Sequence, residues 1–304
     1  VGKNDVIGRH EIDKVAKASG IYEATEFKAN FKEDEDVTIN YVATEGGMVD
    51  PSEETIAPVT EDAKGSTASA SPGYHFVNWT NENGDEVSTD LKYVPARVDG
   101  LNVAATYTAN FAEDSKITIQ YKALKGGNVS TSYEILAPVT DNALGSEAQA
   151  QPGYHFVKWT NEAGDVVSEI EKYIPSKVDG VNKAAIYTAH FEEDADVTIV
   201  YKAEKGGKVT PTSETLAPVT DYAAGSEARE LPGYHFVNWT DADGNEVGRD
   251  YKFIPDKVDG VNVAATYTAH FEENEAVTVK YVADIGGTVN RGEETLAPAT
   301  GKPE

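Results

Sequence analysis

The chain has 304 residues, of which 52 are acidic and 26 are lysine or arginine, so its formal net charge is −26. This charge would repel nucleic acid and anionic lipid surfaces, and neither nucleic acid binding nor membrane insertion is expected. The absence of cysteine excludes disulfides, thiolate metal sites and a cysteine nucleophile.

One aromatic stretch recurs along the chain at a constant spacing of 80 residues, as PGYHFVNWT at 72–80, PGYHFVKWT at 152–160 and PGYHFVNWT at 232–240. A fixed period without insertions indicates tandem structural units. We expect complete units at 34–113, 114–193 and 194–273, between the C-terminal part of a unit (1–33) and the N-terminal part of another (274–304). An alternative phase, with units at 1–64, 65–144, 145–224 and 225–304, fits the period equally well.

Each unit opens with an alternating β-branched segment that predicts a first strand, at 37–41 in the first unit. The Gly46–Gly47 pair and its counterparts indicate a hairpin turn into a second hydrophobic strand. The proline in the following E-x-x-A-P-V-T segment, 54–60, favours an extended edge or connector.

The GSxAxAxPGYHFVxWT segment predicts one long strand, of which the aromatic stretch is the second half. Strand alternation would put Tyr74 and Phe76 on one face and His75, Val77 and Trp79 on the other. Both faces would then carry large apolar groups.

Three elements complete the predicted unit. The Asn, Asp and Gly cluster in NENGDEV, 81–87, indicates a tight hairpin turn into another strand. The segment YVPARVDGLN, 93–102, predicts one short helix or helical turn. The alternating segment AATYTANF, 104–111, predicts the closing strand.

The aromatic residues of the repeated stretch are expected to form the structural core of each unit, because burying a tryptophan removes a large apolar area from water. The alternative is an exposed platform on which a glycan stacks. The predicted core residues are Tyr74, Phe76, Trp79, Tyr154, Phe156, Trp159, Tyr234, Phe236 and Trp239.

Catalysis is not expected, although each unit holds the residue types of a hydrolase triad, Ser66, His75 and Asp99 in the first. The units lack a nucleophile elbow and an oxyanion loop. His75 and its counterparts also lack the second histidine or close acidic partner of a transition-metal site, so a structural role is expected. Glu54, Lys92 and Asn102 recur with their counterparts at every period and are the residue types of an intramolecular isopeptide bond, which would be a further source of strength.

Acidic side chains concentrate where one unit ends and the next begins. Calcium prefers carboxylate oxygens, so these junctions are its best candidate sites, and no other metal or cofactor is expected. The alternative is a solvated acidic surface. The candidate ligands are Asp34, Asp36, Asp114, Asp194 and Asp196.

The GYHFVxW motif, with the preceding strand, the Gly-Gly pair and the terminal Y-T-A-x-F, resembles the divergent relatives of the internalin B-repeat. This is a bacterial surface repeat family of the listeria–bacteroides type. The resemblance covers every complete unit. The sequence departs from the family pattern in two places. Before the tryptophan, the frequent glycine is replaced by Asn78, Lys158 and Asn238, and the P-x-[KR]-V-D-G-x-N segment is longer than the corresponding loop.

The resemblance implies a mainly β fold with a minor α contribution. It would consist of tandem β-grasp-like units, each with one short helical segment, arranged as an elongated rod. It also implies a non-enzymatic stalk or spacer of an extracellular adhesin on a bacterial cell surface, of the Gram-positive cell wall. Its partners would be neighbouring repeats of the same chain. The alternative is that the repeats bind host glycan or protein themselves, through multivalent contacts.

Overall fold

The structure, a computed structural model, describes residues 30–303, and all regular elements in that range are β-strands. The residues fall into two compact units, one ending at Ala112 and the other beginning at Glu113. Within 30–303, no helix could span a membrane. Repeat 1 denotes residues 34–113, repeat 2 residues 114–193, repeat 3 residues 194–273, and repeat 4 the residues from 274 onward.

Repeats 1, 2 and 3 each contain eight strands in the same order. In repeat 1 they are β1 (Val37–Ala43), β2 (Gly47–Asp50), β3 (Glu53–Ile56), β4 (Ser66–Ala70), β5 (Tyr74–Thr80), β6 (Glu86–Ser88), β7 (Lys92–Tyr93) and β8 (Ala105–Glu113). In repeat 2 they are β9 (Ile117–Ala123), β10 (Gly127–Val129), β11 (Tyr133–Leu136), β12 (Ser146–Ala150), β13 (Tyr154–Thr160), β14 (Val166–Ser168), β15 (Lys172–Tyr173) and β16 (Ala185–Glu193). In repeat 3 they are β17 (Val197–Ala203), β18 (Gly207–Thr210), β19 (Ser213–Leu216), β20 (Ser226–Glu230), β21 (Tyr234–Thr240), β22 (Glu246–Gly248), β23 (Lys252–Phe253) and β24 (Ala265–Glu273). The described part of repeat 4 has β25 (Val277–Lys280) and β26 (Glu293–Leu296).

Each complete repeat is built from two sheets. The larger has five strands in the order β3-β1-β8-β5-β6, and the smaller has three in the order β2-β4-β7. The first and last strands of the repeat, β1 and β8, pair in parallel, whereas β3 pairs with β1 antiparallel at the sheet edge. Three predictions are therefore confirmed: the edge position of the proline-containing segment, the NENGDEV hairpin and the closing strand.

The core of each repeat lies between its two sheets. In repeat 1, Ile39 and Trp79 of the larger sheet and Ala68 of the smaller sheet belong to one buried cluster, and Tyr93 packs against it. The Tyr41 ring meets the Trp79 ring edge-on, with centroids 5.9 Å apart. The mainly β, tandem part of the fold prediction is thus confirmed.

The predicted Gly-Gly hairpin is wrong, because β2 leaves the sheet of β1 and pairs with β4 instead. The two glycines instead allow aromatic rings to pack closely against the backbone. A Cβ at Gly46 would lie 2.3 Å from the Tyr74 ring, and one at Gly47 would lie 2.2 Å from the Phe111 ring. The long predicted strand is likewise two strands, β4 and β5, which belong to different sheets.

The predicted short helix is also wrong, and with it the minor α contribution and the helix that a β-grasp unit would carry. The segment after β7 turns back through Asp99 and Gly100, whose φ angles are 51° and 82°. Val98 and Leu101 exchange two backbone hydrogen bonds, of 2.9 and 3.0 Å, across this turn. Positive φ at both central residues matches a type I′ turn, which Asp-Gly favours over a helical turn.

The predicted assignment of side chains to the two faces of the aromatic strand is wrong, because the strand contains a β-bulge. In repeat 2, Phe156 pairs with Phe191 but Lys158 pairs with His190, so Val157 is an extra residue in β13. The bulge shifts the alternation by one position, which brings Phe156 and Trp159 to the same side, with ring centroids 6.3 Å apart.

Candidate functional site: the junction between consecutive repeats

The three tryptophans lie inside their repeats. Trp79, Trp159 and Trp239 have no exposed surface, and the Trp159 indole N–H donates to the Glu171 carbonyl at 3.0 Å. The tyrosines and phenylalanines of the same strands are half-buried. The tryptophans therefore offer no surface on which a glycan could stack.

The histidines of the repeated stretch lie near the end of each repeat. His155 Nδ1 is 2.9 Å from Asp194 Oδ1, and His235 Nδ1 is 2.9 Å from Asn274 Oδ1. Asp194 and Asn274 are the first residues after β16 and β24. The acidic partner of His155 was missed by sequence reasoning, because it lies 39 positions further along the chain.

The residue types of a hydrolase triad have separate structural roles. The Ser66 side chain is buried, and its hydroxyl donates to the Pro51 carbonyl at 2.7 Å. Asp99 lies in the exposed Asp-Gly turn. In repeat 2 the His155 ring is bonded to Asp194, whereas the Ser146 hydroxyl donates to the Thr131 carbonyl at 2.7 Å.

The isopeptide candidates are held by hydrogen bonds within repeat 1. The Glu54 carboxylate accepts the Tyr41 hydroxyl at 2.5 Å and the Lys64 N–H at 2.8 Å. The buried Asn102 amide donates to the Ala57 and Glu61 carbonyls at 2.8 and 2.7 Å. Both groups thus fix the loop that follows β3.

A glutamate at the end of each closing strand binds the next repeat. Glu193 Oε1 accepts the backbone N–H groups of Val219 and Thr220 at 2.5 and 2.9 Å, and its Oε2 accepts the Thr220 hydroxyl at 2.9 Å. We call this three-bond arrangement the glutamate clasp. It recurs at Glu33 with Val59 and Thr60, at Glu113 with Val139 and Thr140, and at Glu273 with Ala299 and Thr300.

The turn that receives Glu193 is fixed from within repeat 3. The Asn262 side chain donates to the carbonyls of Ala217 and Asp221 at 2.9 and 3.0 Å, and its backbone N–H donates to the Pro218 carbonyl at 2.7 Å. Lys257 Nζ donates to the Val219 carbonyl at 2.5 Å. With its carbonyls bonded inward, the turn presents two N–H groups to the incoming carboxylate.

The hydrogen bonds of the clasp favour the charged form of its glutamate. The backbone N–H groups of Thr220 and Val219 hold the pKa of Glu193 below its ordinary value of 4.5, with a smaller contribution from the Lys125 charge. The pKa of Glu33 is lowered in the same way, first by the Val59 N–H.

The Pro-Gly corner of the repeated stretch also belongs to this junction. Gly153 has a φ of +80°, and a Cβ there would lie 2.5 Å from Val219 Cγ2 and 3.2 Å from Val261 Cγ1. Its carbonyl accepts the Asp194 N–H at 2.9 Å. The backbone of repeat 2 thus packs directly against repeat 3, and Gly233 approaches Ala299 of repeat 4 similarly.

The candidate calcium ligands are placed on the surface. Asp34, Asp36, Asp114 and Asp196 are exposed, and Asp194 is bonded to His155. Across residues 30–303, no group of three or more His, Cys, Asp or Glu side chains is arranged to hold a metal ion. Calcium binding at the junctions stays a prediction.

Comparison with known proteins identifies the family of the repeats. A sequence profile described as "Divergent InlB B-repeat domain" matches residues 37–115, 117–195 and 197–275. Internalin J of Listeria monocytogenes serovar 1/2a is 24% identical over 265 residues, which cover 86% of this chain and 27% of that protein. Internalin J of serotype 4b is 24% identical over 263 residues, which cover 86% of this chain and 25% of that protein.

Among solved structures, the alignment with the N-terminal four Ig domains of Dscam1 isoform 4.4 has 12% identity and a TM-score of 0.11. It covers 79% of this chain and 73% of that one. A score this low carries no argument about the fold.

Proposed function

The chain belongs to the divergent InlB B-repeat family, and we propose that it is a non-enzymatic stalk or spacer of a bacterial cell-surface adhesin. In this role the repeats project a distal binding domain away from a Gram-positive cell wall. The match to the B-repeat family and the similarity to the Internalin J proteins of Listeria monocytogenes support a location on the bacterial surface. The chain spans about a quarter of their length, so the activity of the whole protein is part of this proposal.

The glutamate clasp is the observation that carries the spacer role. Only three residues separate the end of β16 at Glu193 from the start of β17 at Val197. The Glu193 carboxylate then binds the turn at Val219 and Thr220 of the following repeat, and Gly153 packs against Val219 of that turn. A short linker with such contacts restricts rotation between repeats, which a spacer of defined reach requires.

The alternative, in which the repeats bind host glycan or protein through repeated contacts, has less support. The tryptophans that would have formed an exposed aromatic platform for a glycan are buried. A shallow groove of about 420 Å³ does lie beside β11, where Tyr133 and Ile135 are exposed. Repeat 1 has Glu53 and Thr55 at these positions and repeat 3 has Ser213 and Thr215, so this groove is not a repeated feature of the described repeats.

Small-angle scattering of the purified chain tests the spacer role. A compact globule of this length would have a radius of gyration of about 19 Å, whereas four 80-residue units in line would give about 35 Å. Deleting residues 114–193 removes one period and joins Glu113 to Asp194, so the neighbouring clasps keep their residues. The proposal expects the maximum dimension to fall by about 30 Å per deleted repeat. A radius near the compact value, or a dimension that the deletion leaves unchanged, would reject it.

A matched junction variant strengthens the test. Replacing Asp194–Asp196 by a longer Gly-Ser linker, together with Glu193→Gln, removes the short connection and weakens the clasp. The scattering profile of this variant should broaden toward that of a flexible chain of domains, while the circular dichroism of the repeats stays the same.

A further inference from the structure

The first and last strands of each repeat lie side by side and run in the same direction. In repeat 2, β9 and β16 pair in parallel from Ile119 opposite Ala185 to Ala123 opposite Ala189, which is five positions. The same pairing joins β1 to β8 and β17 to β24. The chain enters a repeat through one of these strands and leaves through the other, so tension along the chain acts on this pair.

The parallel direction decides how that tension acts. The chain enters β9 at its amino end and leaves β16 at its carboxyl end, and in a parallel pair these ends lie at opposite ends of the ladder. Pulling therefore slides the two strands past each other along their axes. The evenly spaced hydrogen bonds of the five positions share the load, instead of opening one after another.

We propose that each repeat is a mechanical clamp that resists extension by shear of its parallel terminal strands. The biological use of such a clamp rests on the proposed stalk function, because a stalk transmits force between its two ends. The clamp itself is a property of a single repeat and can be measured on purified protein.

The position of the strand pair within the sheet supports the clamp. β9 and β16 are interior strands, flanked by β11 on one side and β13 on the other, so neighbouring strands shield their ladder from water. Tyr121 of β9 is buried, and its ring packs against Trp159 and Tyr187 at centroid distances of 6.0 and 6.1 Å. Sliding β9 would have to disrupt this aromatic core together with the hydrogen bonds, which raises the barrier.

The test is to pull the same repeat in two directions within the intact chain. Because the chain has no cysteine, engineered thiols provide unique attachment points. Lys116→Cys with Ala195→Cys attaches the entry of β9 and the exit of β16, which loads the pair in shear. Lys125→Cys with Ala195→Cys attaches the carboxyl ends of both strands, which peels the pair open from one end. All three positions are exposed, so the fold should tolerate both variants.

Single-molecule force spectroscopy should give an unfolding force about three to five times higher in shear than in peeling at the same loading rate, because five positions share the load. Complete unfolding in shear should release a length on the order of 250 Å, which identifies the event as repeat 2. A force ratio below about two would overturn the clamp.

The outcome is independent of the scattering test. A compact scattering profile with a high force ratio would reject the stalk and retain the clamp. An extended profile with a ratio below about two would reject the clamp and retain the stalk.

Discussion

Glu193 and Thr220 belong to different repeats and are joined by two hydrogen bonds. Thr220 donates its backbone N–H to one carboxylate oxygen and its hydroxyl to the other, each at 2.9 Å. The two residues are 27 positions apart, and the same pairing recurs in all four clasps of the described chain. This relationship makes the junction a specific contact whose parts can be changed one at a time.

Glu193→Gln should loosen the junction without unfolding the repeats. The amide is uncharged, and only its oxygen can accept the N–H groups of Val219 and Thr220, so charge-assisted hydrogen bonds are lost. Hydrogen exchange at these two amides should become faster, while exchange in β13 stays the same. Glu192→Gln is the matched control, because it removes the same charge from the adjacent exposed residue. Equal exchange in the two variants would contradict the clasp.

Gly153→Ala should destabilise the contact between repeats 2 and 3. An alanine there would combine a left-handed backbone with a Cβ only 2.5 Å from Val219 Cγ2. We expect a cost of about 2 to 4 kcal/mol, since a left-handed residue costs about 1 to 2 and overpacking adds a similar amount. The measurement is the free energy of unfolding in urea.

Gly164→Ala is the control for Gly153→Ala. Gly164 has a similar φ of +88°, but no atom lies within 4 Å of its Cβ position. It should therefore show only the backbone cost of about 1 to 2 kcal/mol. If both variants lose the same stability, the Pro-Gly corner has no packing role at the junction.

Trp79→Ala should destabilise repeat 1 by about 3 to 5 kcal/mol, because it leaves a cavity in place of a fully buried side chain. Val77→Ala is the control two residues away, where the side chain is 43% exposed and the expected loss is within about 0.5 kcal/mol. Hydrogen exchange of the β1 amides measures the loss of stability in both variants. A small loss for Trp79→Ala would mean that the tryptophan does not organise the core.

The junction should weaken in acid. The hydrogen bonds of the clasp depress the pKa of Glu193 in the folded state below its ordinary value of 4.5. The contribution is therefore complete above about pH 4.5 and is lost as the pH falls through the lower folded value, where the carboxylate takes up a proton. Exchange protection at Val219 and Thr220, corrected for intrinsic rates, should fall in this range. In Glu193→Gln the same amides should show no such pH dependence.

Calcium bound by the acidic linkers should raise the melting temperature, and a chelator should reverse the rise. The candidate ligands Asp34, Asp36, Asp114 and Asp196 are exposed, and Asp194 is bonded to His155. Asp194→Asn and Asp196→Asn should each reduce the rise, and a melting temperature that calcium leaves unchanged would contradict the prediction.

Sequence reasoning identified the repeat, the family and the opening and closing strands of each repeat, because period and alternation are local signals. It assigned the wrong faces to the aromatic strand because one bulge residue, Val157, reverses the alternation after Phe156. It predicted a helix from a proline followed by a glycine, where Asp99 and Gly100 instead form a two-residue turn with positive φ.

The clasp was missed because its partners lie in different repeats. The acidic junction residues were interpreted as free charge and as calcium ligands, although a glutamate stands 27 residues before a threonine at each junction. That recurrence is visible in the sequence, but its meaning depends on knowing that the A-P-V-T turn points two N–H groups outward. Local sequence patterns also could not predict how the strands pair into two sheets. That arrangement depends on the close approach of aromatic rings to Gly46 and Gly47.

The two sides of the junction are chemically different, since one repeat supplies a carboxylate and a Pro-Gly corner and the next supplies a turn. A contact of this heterologous kind has a direction. Each added copy covers one end of its neighbour and presents the same kind of end to the next copy. Gain or loss of an 80-residue segment by recombination would therefore leave every remaining contact intact. A change in the number of copies would therefore require no compensating change of residue.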